Sequence, residues 1–216
     1  MQPSAAQLSL FGRDAPRFDA SLARLERREL GHGAWIDLAR GWLGGHASLF
    51  DSLARALAWR SDERTMYERV VDVPRLYAGA PPAGAFPEIE AMRRALDAHY
   101  RTSFERVTFA LYRDGRDSVA WHGDHVAREL LEHTLVATVS VGAPRRFLLR
   151  PKGGGRSVGC SLGWGDLIVM GGTCQRTWEH SIPKVAHAGA RIAIMFRPAW
   201  PTDRALVVDR APRHDR

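Results

Sequence analysis

Apolar residues recur along this chain with two different periods, and the change falls near Tyr100. Between Ala47 and Trp59, the positions Leu49, Phe50, Leu53 and Leu57 follow helical spacing, and Gly44-Gly45 marks the turn before them. Pro87 suits the first turn of a helix, where a missing N–H is no loss. Ile89, Met92, Ala95 and Leu96 give that helix one apolar face. Residues 18–30 (FDASLARLERREL) predict a further short helix, Trp35-Ile36-Asp37-Leu38 a strand, and 79–87 (GAPPAGAFP) a loop. Residues 1–17 carry Pro, Ser, Ala and Gly with little periodicity apart from Leu8, Leu10 and Phe11, and read as a flexible arm.

After Tyr100 short β-rich runs take over, at 106–112, 118–122, 134–141, 145–150, 157–162, 166–170 and 191–197. Asp114-Gly115, Gly142-Ala143-Pro144, Gly153-Gly154-Gly155 and Gly171-Gly172 punctuate them. Many short strands with frequent turns imply a sandwich or barrel. The expected fold class is α+β, with helices first and a C-terminal β jelly roll. No internal repeat or low-complexity block interrupts it.

Length and composition narrow the class. The chain has 216 residues, 45% hydrophobic and 25% charged, which suits one globular domain over 18–216. No apolar run approaches membrane-spanning length, and Met1-Gln2-Pro3-Ser4-Ala5-Ala6 lacks the basic start and apolar stretch of a signal peptide. A cytoplasmic, monomeric protein without a membrane partner is expected. Two cysteines, Cys160 and Cys174, are too few for a disulfide scaffold. Net charge is +7 and the sequence pI about 10.2. Excess Arg suits a polyphosphate partner. Because Lys occurs only at Lys152 and Lys184, however, codon preference accounts for much of the Arg content.

The sharpest chemical feature is His122-Gly123-Asp124, just after Ser118-Val119-Ala120-Trp121. Residues two apart in an extended segment share a face, so His122 and Asp124 can hold one ion while His125 points away. A third ligand would come from a distant strand, with His180 the leading candidate and His187 its rival on spacing alone. Two imidazoles and a carboxylate form the facial triad of non-haem Fe(II) oxygenases, which leaves open positions on the metal. With nine histidines in the chain, an isolated H-x-D is more often a turn or surface pair. The final strand shifts that balance. In residues 191–197, Ile192, Ile194 and Phe196 alternate with Arg191, Ala193, Met195 and Arg197. Alone, two Arg opposite an apolar face would mean solvent. Behind an H-x-D and a later His, they fit a cavity that grips a dicarboxylate through bidentate forks.

From about Met66 to Pro198 the sequence resembles the AlkB family of Fe(II)/2-oxoglutarate-dependent dioxygenases, bacterial alkylated-DNA repair type. The resemblance is carried by Asp72-Val73-Pro74-Arg75, Tyr112-Arg113-Asp114-Gly115, residues 118–124, Thr138-Val139-Ser140-Val141-Gly142, residues 165–170, Trp178-Glu179-His180-Ser181-Ile182-Pro183 and Arg191 to Arg197. It implies a double-stranded β-helix over about 104–200, with an N-terminal helical extension and a nucleotide-recognition lid at about 59–80. It implies Fe(II) held by His122, Asp124 and His180, with 2-oxoglutarate and O₂ as co-substrates. His180 is favoured over His187 by its aromatic-x-H-S-x-P setting. Arg191 matches the arginine that pairs with the far carboxylate of 2-oxoglutarate, Arg197 the second arginine near the metal, and Tyr112 a tyrosine that hydrogen-bonds the co-substrate. Two departures stand out. Ala110 and Ala193 occupy positions where many members have Asn, and His125 and Val126 stand where acidic residues often follow the H-x-D.

The implied reaction is oxidative demethylation of N-alkylated bases in DNA, of the 1-methyladenine and 3-methylcytosine type. The same chemistry on modified RNA, a protein or a small metabolite is the alternative, since specificity lies in the lid. A non-catalytic nucleic-acid-binding module is a third reading, which intact ligand positions disfavour. A target base must leave the duplex to be reached and needs a ring to stack on. Tyr77 and Trp178 are candidates, with His122 itself a third and core packing the competing reading for Trp178. Arg75 would hold a phosphate or line the pocket, its plainer reading being an exposed residue beside a turn. Trp59, Arg64 and Met66 fall in the same lid segment. In the arm, Gln7-Leu8-Ser9-Leu10-Phe11 resembles the short peptide by which bacterial repair proteins dock on the sliding clamp. An N-terminal strand or a cap on the domain's own core is the competing reading.

Overall fold

Alternation along 191–197 sets the layering of the molecule, seen in a computed structural model that describes residues 14–66, 69–124 and 134–198. The pentapeptide Gln7–Phe11 and His125 lie outside the described residues. In chain order the elements are β1 (Arg17–Phe18), β2 (Glu26–Gly31), β3 (Ala34–Ala39), β4 (Leu43–Gly44) and helix α1 (His46–Ala56). A hairpin of β5 (Arg60–Met66) and β6 (Arg69–Ala78) precedes helix α2 (Pro87–Tyr100). Then come β7 (Arg106–Tyr112), β8 (Val119–His122), β9 (Val136–Gly142), β10 (Arg145–Pro151), β11 (Val158–Leu162) and β12 (Asp166–Gly172). The short α3 (Cys174–Thr177), β13 (Trp178–Ile182) and β14 (Arg191–Arg197) complete the order.

The strands form an eight-stranded antiparallel sheet in the order β2-β3-β12-β9-β14-β7-β6-β5 and a four-stranded one in the order β11-β10-β13-β8. Because side chains alternate across a strand, the large sheet buries both faces. One face packs Phe109, Val139, Ile192, Ile194 and Phe196 against Leu49 and Leu53 of α1 and Met92 and Leu96 of α2. The other places Ala110, Tyr112, Ile168 and Ala193 against Phe147, Leu149, Trp178 and Ile182 of the small sheet. Two facing antiparallel sheets with helices on the outside of one make the double-stranded β-helix. Burying each of Ile192, Ile194 and Phe196 stabilises this arrangement by about 1.5–3 kcal/mol.

The helix expected over 18–30 is not formed. Asp19 instead nucleates a turn, its carboxylate accepting from the Ser21 and Ala23 amides, and Leu22 sits at φ 55. Residues 26–31 then run as edge strand β2 along β3. The reason is tertiary: β3 is buried and would otherwise leave a ladder unpaired, and that demand outweighs the helix preference of an Arg-, Leu- and Glu-rich segment. The charges Glu26, Arg27, Arg28 and Glu29 line this outer strand, as suits an edge that must not recruit another sheet. The segment at 59–80 is the β5–β6 hairpin, which extends the large sheet beyond β7. Trp59 belongs to the core side rather than to a lid, its indole N–H donating to the Ala54 carbonyl at 3.1 Å.

Candidate metal and co-substrate site

His122 closes β8, Asp124 follows two residues on, and His180 lies in the middle of β13. Pairing of β13 with β8 sets His180 directly opposite His122. One ligand-type atom from each of the three lies within 4.8 Å of the others. The two imidazoles are 4.1 Å apart between centroids, and Phe147 stacks on His180 at 5.5 Å. The His122 Nδ1 lies 2.9 Å from the Ala120 carbonyl oxygen, so that nitrogen is placed to donate and Nε2 is left for a metal. Burial, with His122 alongside, holds His180 down at about 3, and burial also lowers His122. Asp124 is held below the usual carboxylate range because the charge and hydrogen bond of Arg197 outweigh its burial. Neutral imidazoles and an ionised carboxylate are the protonation states that bind a metal. This donor set and spacing fit Fe(II) in a facial triad.

Arg197 fixes the carboxylate: its Nε donates to Asp124 Oδ2 at 2.9 Å and its Nη1 to Thr108 Oγ1 at 2.8 Å. Gln175, buried in α3, accepts the Asp124 backbone N–H through Oε1 at 2.9 Å. Behind the triad lies an unusual concentration of cations. Tyr112, buried on β7, is faced by three guanidinium groups, from Arg191 at 5.3 Å, Arg145 at 5.6 Å and Arg75 at 5.7 Å from its ring centroid. Arg191 is 1% exposed and donates from Nη2 to Ser140 Oγ at 2.7 Å, while its Nε and Nη1 have no partner among the described residues. Burial, with Arg145 and Arg75 nearby, pushes Arg191 down to about 10. An orphaned, buried fork of this kind is a receptor for a carboxylate. The row that runs across the sheet as Tyr77–Ala110–Ala193–Ser140 is small at its centre, and here Ser140 supplies the polar contact to Arg191.

Of the residues considered for a nucleic-acid substrate, Arg75 is turned inward. It is 9% exposed and donates from Nη1 to the Tyr112 hydroxyl at 2.7 Å and from Nη2 to the Tyr77 hydroxyl. It lines the interior rather than presenting a fork to an external phosphate. Tyr77 is half-buried, its ring under the Arg75 guanidinium at 4.6 Å. It is also one wall of a groove of about 580 Å³ between the end of α1 and the loop after β6, with Leu57, Arg60, Ser61 and Pro82. That groove borders the lid strand and contains none of the triad. Trp178 is 6% exposed within the core between the sheets, which withdraws its ring from a stacking role. His187 is exposed in the turn before β14, in a shallow surface groove with Asp114 and Arg116.

Sequence reading passed over Gln175, Ser140, Thr108 and Arg145. Arg145 is 2% exposed and donates to the carbonyls of Asp114, Asp117 and Pro183, so it ties the β7–β8 turn to the segment after β13. Ser140 stood within a segment that carried the family resemblance, but its place beside Ala193 emerges only from the β9–β14 register.

Comparison with known proteins bears on this geometry. The 2OG-Fe(II) oxygenase superfamily profile matches residues 40–197. The chain is 28% identical over 180 residues to "Alpha-ketoglutarate-dependent dioxygenase alkB homolog 3" of Bos taurus, covering 73% of this chain and 63% of that protein. It is 28% identical over 160 residues to the Homo sapiens protein of the same name, 69% of this chain and 53% of that one. With "DNA oxidative demethylase ALKBH2" of Arabidopsis thaliana it shares 27% identity over 214 residues, 78% and 68% of the two chains. The chain thus spans between about half and two thirds of the length of the alkB homolog 3 proteins. Among solved structures, "The structure of OsALKBH1" superposes with TM-score 0.57 at 13% identity, over 81% of this chain and 100% of that one. A prolyl hydroxylase from Trichoplax adhaerens in complex with a hypoxia inducible factor peptide fragment gives TM-score 0.57 at 12% identity, over 79% and 86%. Both share the fold.

Proposed function

Since this chain belongs to the 2OG-Fe(II) oxygenase superfamily, and within it to the AlkB family, we propose that it oxidatively demethylates N-alkylated bases in DNA, of the 1-methyladenine and 3-methylcytosine type. The superfamily uses Fe(II), with 2-oxoglutarate and O₂ as co-substrates. The observation that carries the reading is the juxtaposition of His122, Asp124 and His180 with the orphaned buried fork of Arg191 on the same side of the large sheet. The names of the AlkB relatives support the nucleic-acid substrate.

His122 Nε2, an Asp124 oxygen and a His180 nitrogen would hold the metal. Arg197 keeps Asp124 ionised and fixes its rotamer, and Gln175 fixes its backbone. Arg191 would take the far carboxylate of 2-oxoglutarate with its free Nε and Nη1, and Tyr112 would donate a hydrogen bond beside it. When bound, iron and the co-substrates supply the oxidation: 2-oxoglutarate leaves as succinate and CO₂, and the N-alkyl carbon gains a hydroxyl and departs as an aldehyde. The β5–β6 hairpin extends the large sheet next to Tyr112 and would serve as the lid, where Tyr77 would offer a ring to a base turned out of its helix.

The test is mass spectrometry of oligonucleotides bearing 1-methyladenine or 3-methylcytosine after incubation with Fe(II), 2-oxoglutarate and O₂. Loss of one methylene equivalent from the lesion, with matching succinate, is the expected result. Succinate without base repair, or repair confined to methylated RNA, would move the substrate elsewhere.

A further inference from the structure

We infer that Arg75, reaching down from lid strand β6, is a positioning residue for the distal carboxylate of the co-substrate, acting through Tyr112, and so links the lid to co-substrate binding. The inference rests on the co-substrate reading above.

Three observations carry it. The first is register. Tyr112 pairs with Arg191 across β7 and β14, and on its other side β6 pairs Leu76 with Leu111, so Arg75 falls beside Tyr112. Arginine, tyrosine and arginine therefore form one row across three strands, on the face that looks toward the small sheet. The second is hydrogen bonding. Arg75 Nη1 donates to the Tyr112 hydroxyl, occupying a lone pair of that oxygen. A hydroxyl that accepts from a guanidinium directs its own O–H elsewhere, and the unpartnered Arg191 fork lies on the far side of the same ring. The third is charge. Arg75 has no carboxylate partner among the described residues, and its Nε is buried without any partner. Nor does Arg191 have one. With Arg145, whose partners are carbonyls, three buried guanidinium groups around one ring repel each other and have lost their water, an arrangement that an incoming anion relieves. The Arg191 fork alone would satisfy a carboxylate geometrically; Arg75 adds the second charge and orients the tyrosine proton.

Coupling follows from where Arg75 sits. Its second nitrogen is bound to Tyr77, whose ring is a wall of the groove beside the lid strand. What fixes Tyr112 for the co-substrate therefore also fixes β6, and by linkage what settles on β6 strengthens co-substrate binding.

The test is anaerobic calorimetric titration of the Fe(II)-loaded full-length protein with 2-oxoglutarate and, separately, with 2-oxobutyrate, which lacks the distal carboxylate. Arg75→Ala is expected to weaken 2-oxoglutarate by about tenfold or more, the worth of one hydrogen bond to a charged group, and to leave 2-oxobutyrate unchanged. Arg75→Lys should recover part of the loss. Tyr77→Phe, which removes one hydroxyl and keeps the ring, should show a smaller loss with the same selectivity, and decides the matter if Arg75→Ala does not fold. Hydrogen exchange supplies an independent readout: 2-oxoglutarate should slow amide exchange across 75–78 in the wild type and less so in Arg75→Lys. Unchanged 2-oxoglutarate affinity in the Arg75 variants, or an equal loss for both ligands, overturns the assignment while leaving the proposed reaction standing. Failure of the wild type to bind 2-oxoglutarate at all removes both.

Discussion

At the scale of single residues, the shifted imidazoles make a pH prediction with a definite sign. His180 has an ordinary value of 6.5 and is held at about 3 in the folded protein, burial being the main cause. Between those values the unfolded chain binds more protons than the folded one, so acid favours unfolding. The contribution is complete above pH 6.5 and is lost as pH falls toward 3, at a slope no steeper than about 1.4 kcal/mol per pH unit for one proton. His122 acts in the same direction. The melting temperature of metal-free protein should therefore drop between pH 7 and pH 4, and His180→Gln should flatten that drop; an unaltered profile would show that His180 titrates normally. Metal binding separates the two rival histidines: His180→Ala should abolish Fe(II) binding, while His187→Ala, exposed in a turn, should retain it. Arg191→Ala should raise the 2-oxoglutarate requirement by tens- to thousands-fold, the consequence of about 2–5 kcal/mol lost with one partner of a buried charged pair. Arg191→Lys should rescue it only in part, because a point charge cannot reproduce the fork.

At the scale of elements, α1 and β14 meet on the outer face of the large sheet, where Leu53 is fully buried. Leu53→Ala should cost about 2–5 kcal/mol in urea denaturation, with the spread set by how far the helix settles onto β9 and β14. Gly142 ends β9 at φ +87, with a Cβ there 2.5 Å from the Ala190 carbonyl oxygen, so Gly142→Ala should destabilise by more than about 1 kcal/mol in the same assay. The elements that were legible in the sequence are those whose periodicity and packing agree: α1, α2 and the strands expected at 106–112, 145–150 and 191–197. The segment 18–30 was misread because the need to pair β3 is a tertiary fact that local preference does not contain. The site divides in the same way. His122 with Asp124, and the arginines of 191–197, show themselves through spacing along one strand. Gln175, Ser140 and Arg145 act from other elements on residues far away in sequence, and no local pattern marks them. Arg75 was visible, but its direction was not: the β6–β7 register, rather than the neighbouring proline, turns it inward.

At the scale of the whole molecule, net charge of +7 should appear as salt dependence. Affinity for a methylated oligonucleotide should fall with rising salt along a straight line in log–log form, its slope counting the phosphates contacted, while the 2-oxoglutarate affinity of the buried site should change far less. A flat nucleic-acid line in fluorescence anisotropy would mean that the basic surface is not the binding face. The two-faced burial of the large sheet also limits how this molecule can change over generations. Ile192 and Arg191 occupy opposite faces of β14, one packed against the helices and the other set beside Tyr112. A single-codon insertion or deletion inside that strand would exchange the two sets, driving guanidinium groups into the helical layer and aliphatic side chains into the anion pocket. The segment 183–190 carries no such parity; its backbone is held at Pro183, Val185 and Ala190, and length can change between Val185 and Ala190. Descendants of this gene should therefore vary in length between Val185 and Ala190 and keep the residue count from Arg191 to Arg197 fixed.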